Sequence, residues 1–283
     1  MKIRQVGKIQ GAQDGASYGS ELFRLDVDGS CAVYALEGMK DSGDSLAPFA
    51  TFSLEGAITP HSNAVCFGSE RYDMADFYPI LYTNVYNNYA EAADPMIGVC
   101  CAYRLERRGD LFKATLVQKI RIGFCEDPSL WKASLEGHGV RPYGNFLVDG
   151  EGGNYYAFVM RNETLGTRYY KLPLPSVHDG IPGSDGVREV VLQAEDIKEY
   201  FDLPYHRYMQ GATFHQGKIY SAEGFDRDPV NRPAIRIVDL ATQTQQYVDI
   251  MALGFEAEPE MIDFWGNTCY YSDAKGTLFQ VEF

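Results

Sequence analysis

Five times along the chain, one or two polar residues and a small residue lead into a short apolar run. The segments are Gln13-Asp14-Gly15-Ala16, His61-Ser62-Asn63-Ala64, Tyr143-Gly144-Asn145-Phe146, Met209-Gln210-Gly211-Ala212 and Pro259-Glu260-Met261-Ile262. Their last residues are 48, 82, 66 and 50 positions apart. An interval of about fifty residues accommodates four short antiparallel strands with their turns, which is the size of one β-propeller blade.

The two longer intervals divide into four strands plus insertions. The second contains residues 79–84, a Tyr/Asn/Asp-rich stretch to Gly98, then residues 99–105 and 114–122. The third contains 145–148, 155–160, 167–172 and, as its expected fourth strand, 189–193, followed by a briefly helical pattern over 194–201. After Glu260 only three strand patterns remain, at 261–265, 268–272 and 277–283. The missing fourth is available at the amino terminus, over residues 2–9. Pairing it with the last blade closes a ring and removes an open sheet edge. The expectation is therefore an all-β chain, one domain over residues 1–283, folded as a five-bladed propeller with six blades as the alternative.

Composition agrees with strands. Aromatics make up 13% of the chain, with 20 Tyr and 16 Phe, and 28 Gly punctuate the apolar runs. A net charge of −14 argues against nucleic acid or an anionic membrane as partner, since both are held by clustered Lys and Arg. No apolar signal core or membrane-length run appears, so the sequence reads as cytoplasmic. Cys31, Cys66, Cys100, Cys101, Cys125 and Cys269 form no CxxC pair and sit mostly in apolar runs, as buried thiols do.

Strand order predicts where polar groups meet. In a four-stranded antiparallel blade, the start of the first strand and the loop between the second and third lie on one face. That face collects His61, Asn63, Arg141, Asn145, His206, Gln210, Glu223 and Glu258, together with Asp14, Glu260 and the loops around Asp26, Asn84 and Asp273. These residues are the expected ligand-binding set. Arg141 suits an anionic group, because a guanidinium binds a carboxylate bidentately. No HxH or HExxH spacing is present and no metal or other cofactor is expected, although His61 and His206 with Glu223 or Glu258 have the donor types of a metal site. Ser272-Asp273-Ala274-Lys275-Gly276 does not have the spacing of a sialidase Asp box, and no nucleophile elbow occurs.

The segment Tyr208-Met209-Gln210-Gly211-Ala212-Thr213-Phe214, continuing to Tyr220 and Gly224 and followed by Val238-Asp239-Leu240, resembles one blade of the plant and bacterial glutaminyl cyclases. That family's blade reads approximately Phe-Thr-Gln-Gly-Leu, a strand, then Leu-Tyr-Glu-Ser-Thr-Gly. The resemblance implies a five-bladed propeller. The family's second motif, Phe-Gly-Glu-Gly-Leu, which carries its catalytic Glu, has no counterpart in this chain, and Ser221-Ala222-Glu223-Gly224 departs from the Glu-Ser-Thr-Gly order. The His61-Ser62-Asn63-Ala64 segment resembles an uncharacterised bacterial propeller family, which brings no activity with it.

Three functional readings follow. The first is a propeller that binds a small polar molecule, sugar-like or peptide-terminus-like, in a mouth lined by His, Arg and Glu. The second is an enzyme at the same mouth, a glycan hydrolase or lyase or a cyclase-like transferase. The third is a protein-interaction scaffold.

Overall fold

The computed structural model describes residues 1–38, 44–56, 62–84, 99–125, 127–130, 146–205 and 208–283. In chain order the strands are β1 (Lys2–Lys8), β2 (Gly15–Tyr18), β3 (Glu21–Leu25), β4 (Ser30–Ala35), β5 (Ala50–Glu55), β6 (Val65–Phe67), β7 (Leu81–Asn84) and β8 (Val99–Arg108). They continue as β9 (Leu111–Ile122), β10 (Phe146–Asp149), β11 (Asn154–Asn162), β12 (Gly166–Pro173), β13 (Ile181–Pro182), β14 (Arg188–Leu192) and β15 (Glu199–Leu203). The last are β16 (Met209–His215), β17 (Lys218–Glu223), β18 (Ala234–Asp239), β19 (Thr244–Asp249), β20 (Pro259–Trp265), β21 (Thr268–Asp273) and β22 (Thr277–Glu282). The described residues otherwise contain only short 3-10 turns, and no helix is long and apolar enough to cross a membrane.

Three sheets are separate antiparallel quartets: β10-β11-β12-β15, β16-β17-β18-β19 and β1-β22-β21-β20. In the last, the amino-terminal strand is outermost, with Lys2 opposite Glu282 and Gln5 opposite Phe279. The fourth sheet runs β2-β3-β4-β5-β9-β8-β7-β6. Its two antiparallel halves meet through a short parallel contact in which Leu54 and Glu55 pair with Ala114 and Thr115.

The apolar runs are nearly continuous because most strands are covered on both faces. On β8, Val99, Cys101, Tyr103 and Leu105 pack toward the β2–β5 half, while Cys100 and Ala102 pack toward the β10–β12 sheet. On β11, Tyr155, Ala157 and Val159 face back toward β8 and Tyr156 and Phe158 face forward toward β16. Side-chain alternation with period two thus sends successive residues into two different cores. The sequence of cores closes on itself. Ile235, Ile237, Ile262 and Tyr271 join the β16–β19 sheet to the terminal sheet, and Val6, Leu278 and Met261 join the terminal sheet to Leu22 and Tyr34 of the first.

Two strand expectations are corrected. The outer strand of the third repeat is β15, not residues 189–193. Arg188–Leu192 instead leaves its own sheet and adds in parallel to β9, covering that exposed edge. The expected helix over 194–201 is one 3-10 turn, Ala194–Asp196, after which Phe201 and Leu203 turn inward while Glu199, Tyr200 and Asp202 face solvent. The inward pair gains more from burial against Tyr169 than a single helical turn would gain from its own hydrogen bonds. All six Cys are buried, and burial pushes the Cys66 and Cys101 thiols up to about 12.

Candidate functional site

The strands β2, β6, β10, β16 and β20 are the first strands of their four-stranded runs and pack around a common centre. Asp14, just before β2, is fully buried there. Its Oδ2 accepts the backbone N–H of Val65 at 2.9 Å and, more loosely, that of Ala212 at 3.4 Å. One carboxyl therefore ties three first strands together. Gly211 makes this approach feasible: a Cβ there would lie 2.5 Å from the Glu260 carbonyl oxygen and 2.9 Å from Asp14 Oδ1.

Asn63 extends the network. Its N–H and that of Ala64 donate to Asn84 Oδ1 at 3.0 and 3.1 Å. Its Nδ2 donates to the Met209 carbonyl at 3.2 Å and to Gln210 Oε1 at 3.3 Å. Gln210 Nε2 donates in turn to Glu258 Oε1 at 2.6 Å and to the Gly224 carbonyl at 3.3 Å. Asn63, Gln210 and Glu258, from three different sheets, thus form one continuous chain across the mouth.

Glu223 is placed differently. Arg236 grips both its oxygens, Nε at 2.7 Å and Nη2 at 3.0 Å, and Ser221 donates a third hydrogen bond at 3.0 Å. This buried pair lines a groove with Tyr205, Arg232 and Tyr247, beside the mouth. His61, Arg141, Asn145 and His206 lie outside the described residues.

The electrostatics follow from burial. Desolvation raises the Asp14 carboxyl well above the usual carboxylate range, against the hydrogen bonds it accepts and the attraction of Arg24. Burial pushes Glu260 up to about 8, with Arg24 opposing and Glu258, Asp26 and Asp273 adding repulsion. Glu258 is also raised, first by burial and then by Asp226. Arg24 donates to the carbonyls of Ala12, at 2.8 Å, and Gln13, and burial lowers its pKa. Its role is absent from the sequence reading, yet a signal exists: it is a charge inside the otherwise apolar run Leu22-Phe23-Arg24-Leu25.

Four buried polar atoms at this end have no hydrogen-bond partner among the described residues: Asp14 Oδ1, Asn63 Oδ1, Glu260 Oε2 and Arg24 Nε. Buried polar atoms are nearly always satisfied in folded proteins. The four are three oxygens and one N–H, and because burial favours the protonated forms of Asp14 and Glu260, their carboxyls can donate as well as accept. Among the described residues no cluster of three His, Cys, Asp or Glu side chains is arranged to hold a metal.

No protein-family model and no curated protein sequence matches this chain. Among solved structures it is similar over its whole length to the glutaminyl cyclase of Myxococcus xanthus, with a TM-score of 0.52, 12% identity and 94% of that chain covered. A computationally designed protein, Ika8, aligns with 99% of the chain and 100% of its own length at a TM-score of 0.37 and 12% identity. A chain of a nidogen/laminin complex aligns with 95% of this chain and 72% of its own, at 0.38 and 12%. The cyclase likeness, together with radial antiparallel sheets whose cores close in sequence, makes this an all-β, propeller-like fold.

Proposed function

We propose that the chain is a five-bladed propeller that binds a small polar ligand carrying both hydrogen-bond donors and acceptors at the mouth formed by its first strands. Five blades follow from taking β2–β5 and β6–β9 as separate blades that touch edge to edge. The observation that carries the binding reading is the set of orphaned buried atoms on Asp14, Asn63, Glu260 and Arg24. An N–H group on the ligand satisfies Asn63 Oδ1, and acceptor atoms on it satisfy Arg24 Nε and the protonated carboxyls of Asp14 and Glu260. A peptide amino terminus has this pattern, and sugar hydroxyls are the second class that fits. Arg141, His61 and His206 remain proposed contacts on the same sequence argument.

The test is calorimetry with short peptides, their N-acetylated forms and monosaccharides. Free amino termini are expected to bind, with affinity falling at least tenfold in Glu258→Gln at unchanged melting temperature. Equal binding of acetylated and free peptides removes the amino-terminus reading, and no binding of any class removes the site.

A second reading has a specific observation behind it. Glu260, with a pKa of about 8, exchanges a proton near neutral pH, as a general acid or base must. Beside the structural likeness to a glutaminyl cyclase, this supports a cyclase-like transfer on amino-terminal glutamine. In it the α-amine attacks the side-chain carboxamide, a lactam C–N bond forms and ammonia leaves. Ammonia release from Gln-peptides that is lost in Glu260→Gln supports this reading. Binding without ammonia release returns the protein to the binder class.

A further inference from the structure

The ring of first strands has a second end. Where β2, β6, β10, β16 and β20 finish, a cavity of about 280 Å³ opens, separate from the mouth and near the lower size limit of small-molecule sites. At its wall stands Asp263. Its Oδ1 accepts from Thr213 Oγ1 at 2.8 Å, and its Oδ2 accepts from Ser17 Oγ at 2.6 Å and from the Ser17 backbone N–H. Burial raises the Asp263 carboxyl, against the hydrogen bonds from Ser17 and Thr213 and a further one from the Phe264 backbone, so what it offers the cavity is negative charge rather than a vacant acceptor site.

The rest of the lining is aromatic and uncharged or acidic. Tyr18 and Phe67 form a tilted pair with centroids 5.4 Å apart, and Phe214 adds a third ring. His215 lies flat on Phe264, with centroids 3.9 Å apart. Burial lowers the His215 pKa, with Glu151 opposing, so its imidazole is neutral at physiological pH. Burial holds the Cys66 thiol protonated. No Lys or Arg lines the cavity among the described residues. Arg71 stands outside it, exposed, donating to the Tyr18 hydroxyl at 3.0 Å.

The geometry points to a second binding site, at the end of the ring opposite the mouth, for a small organic ammonium ion. Ring faces carry negative quadrupole potential and attract a cation within about 6 Å of their centroids. The Asp263 and Glu151 carboxylates supply charge, and among the described lining residues no Lys or Arg competes with the ligand. An anionic ligand would meet two carboxylates and no donor of positive charge. A neutral apolar ligand would gain nothing from these carboxylates or from the ring quadrupoles.

Choline and its uncharged isostere 3,3-dimethylbutan-1-ol separate these classes, because they share shape and differ in charge. With the full chain, choline methyl resonances are expected to shift upfield and saturate, with nuclear Overhauser contacts to Tyr18 and Phe67 ring protons. The isostere is expected to bind at least tenfold more weakly. Asp263→Asn is expected to lower choline affinity about tenfold. Because Asp263 also ties β2 and β16 to β20, Glu151→Gln serves as the second variant, with an expected loss of about threefold at unchanged melting temperature. Equal affinity for the isostere, absence of saturation, or saturation without contacts to those rings overturns the proposal.

Discussion

The carboxyl of Asp14 accepts the backbone N–H of Val65 at 2.9 Å, although the two residues lie in different four-stranded runs. The same oxygen reaches Ala212 on a third. Removing it leaves two buried N–H groups without an acceptor, each costing about 1–3 kcal/mol. Asp14→Ala is therefore expected to lower stability by about 2–4 kcal/mol, measured by chemical denaturation. Asp14→Asn keeps one acceptor oxygen and is expected to cost less. Equal losses in the two variants would show that the carboxyl does not tie the strands.

Glu260 sets a pH dependence. Its pKa is about 8 in the folded chain, against 4.5 for the exposed group, so the folded state binds the proton more tightly than the unfolded state. Its neutral form is compatible with burial below about pH 4.5, and stability falls as pH rises from there through about 8. Glu260→Gln is expected to flatten this slope and to be the more stable protein at pH 9, by an amount on the order of 3–5 kcal/mol. Denaturant melts at pH 6 and pH 9 measure it. A slope unchanged by the substitution would assign the pH effect to other groups.

Arg236 and Glu223 are both buried and doubly hydrogen-bonded, and the guanidinium lies 5.3 Å from the Tyr247 ring centroid. Removing one partner strands the other charge, so Glu223→Ala is expected to cost about 3–5 kcal/mol. The double variant Glu223→Leu/Arg236→Met is expected to recover much of the loss, which a double-mutant cycle reads directly. Additive losses would argue against direct coupling of the pair.

Truncation of residues 1–8 removes β1 and bares the edge of β22. The expected outcome is a lower melting temperature and concentration-dependent association, seen by light scattering, because an unpaired strand edge is a template for another chain. A truncated chain that stays monomeric with the parent melting temperature would show that the terminal pairing is dispensable.

The sequence by itself determined most of the strands and the closure of the terminal sheet. Alternating burial demands strand periodicity over segments such as Val99–Arg108, and a final repeat one strand short leaves its place to the amino terminus. It also placed Asn63, Gln210 and Glu258 on one face, since antiparallel order alone puts strand starts together. Which polar atoms meet was decided only in three dimensions. The sequence ranked Glu223 with Glu258, yet a cross-strand neighbour, Arg236, claims it. Arg24 and Asp263 are single charges inside apolar runs whose roles were not legible in the sequence, because burial, partner distance and shared cavities are set by side chains from sheets distant in sequence. Likewise, Arg188–Leu192 has the pattern of an outer strand in its own repeat. Only the open edge of β9, created by a different part of the chain, decided where it would pair.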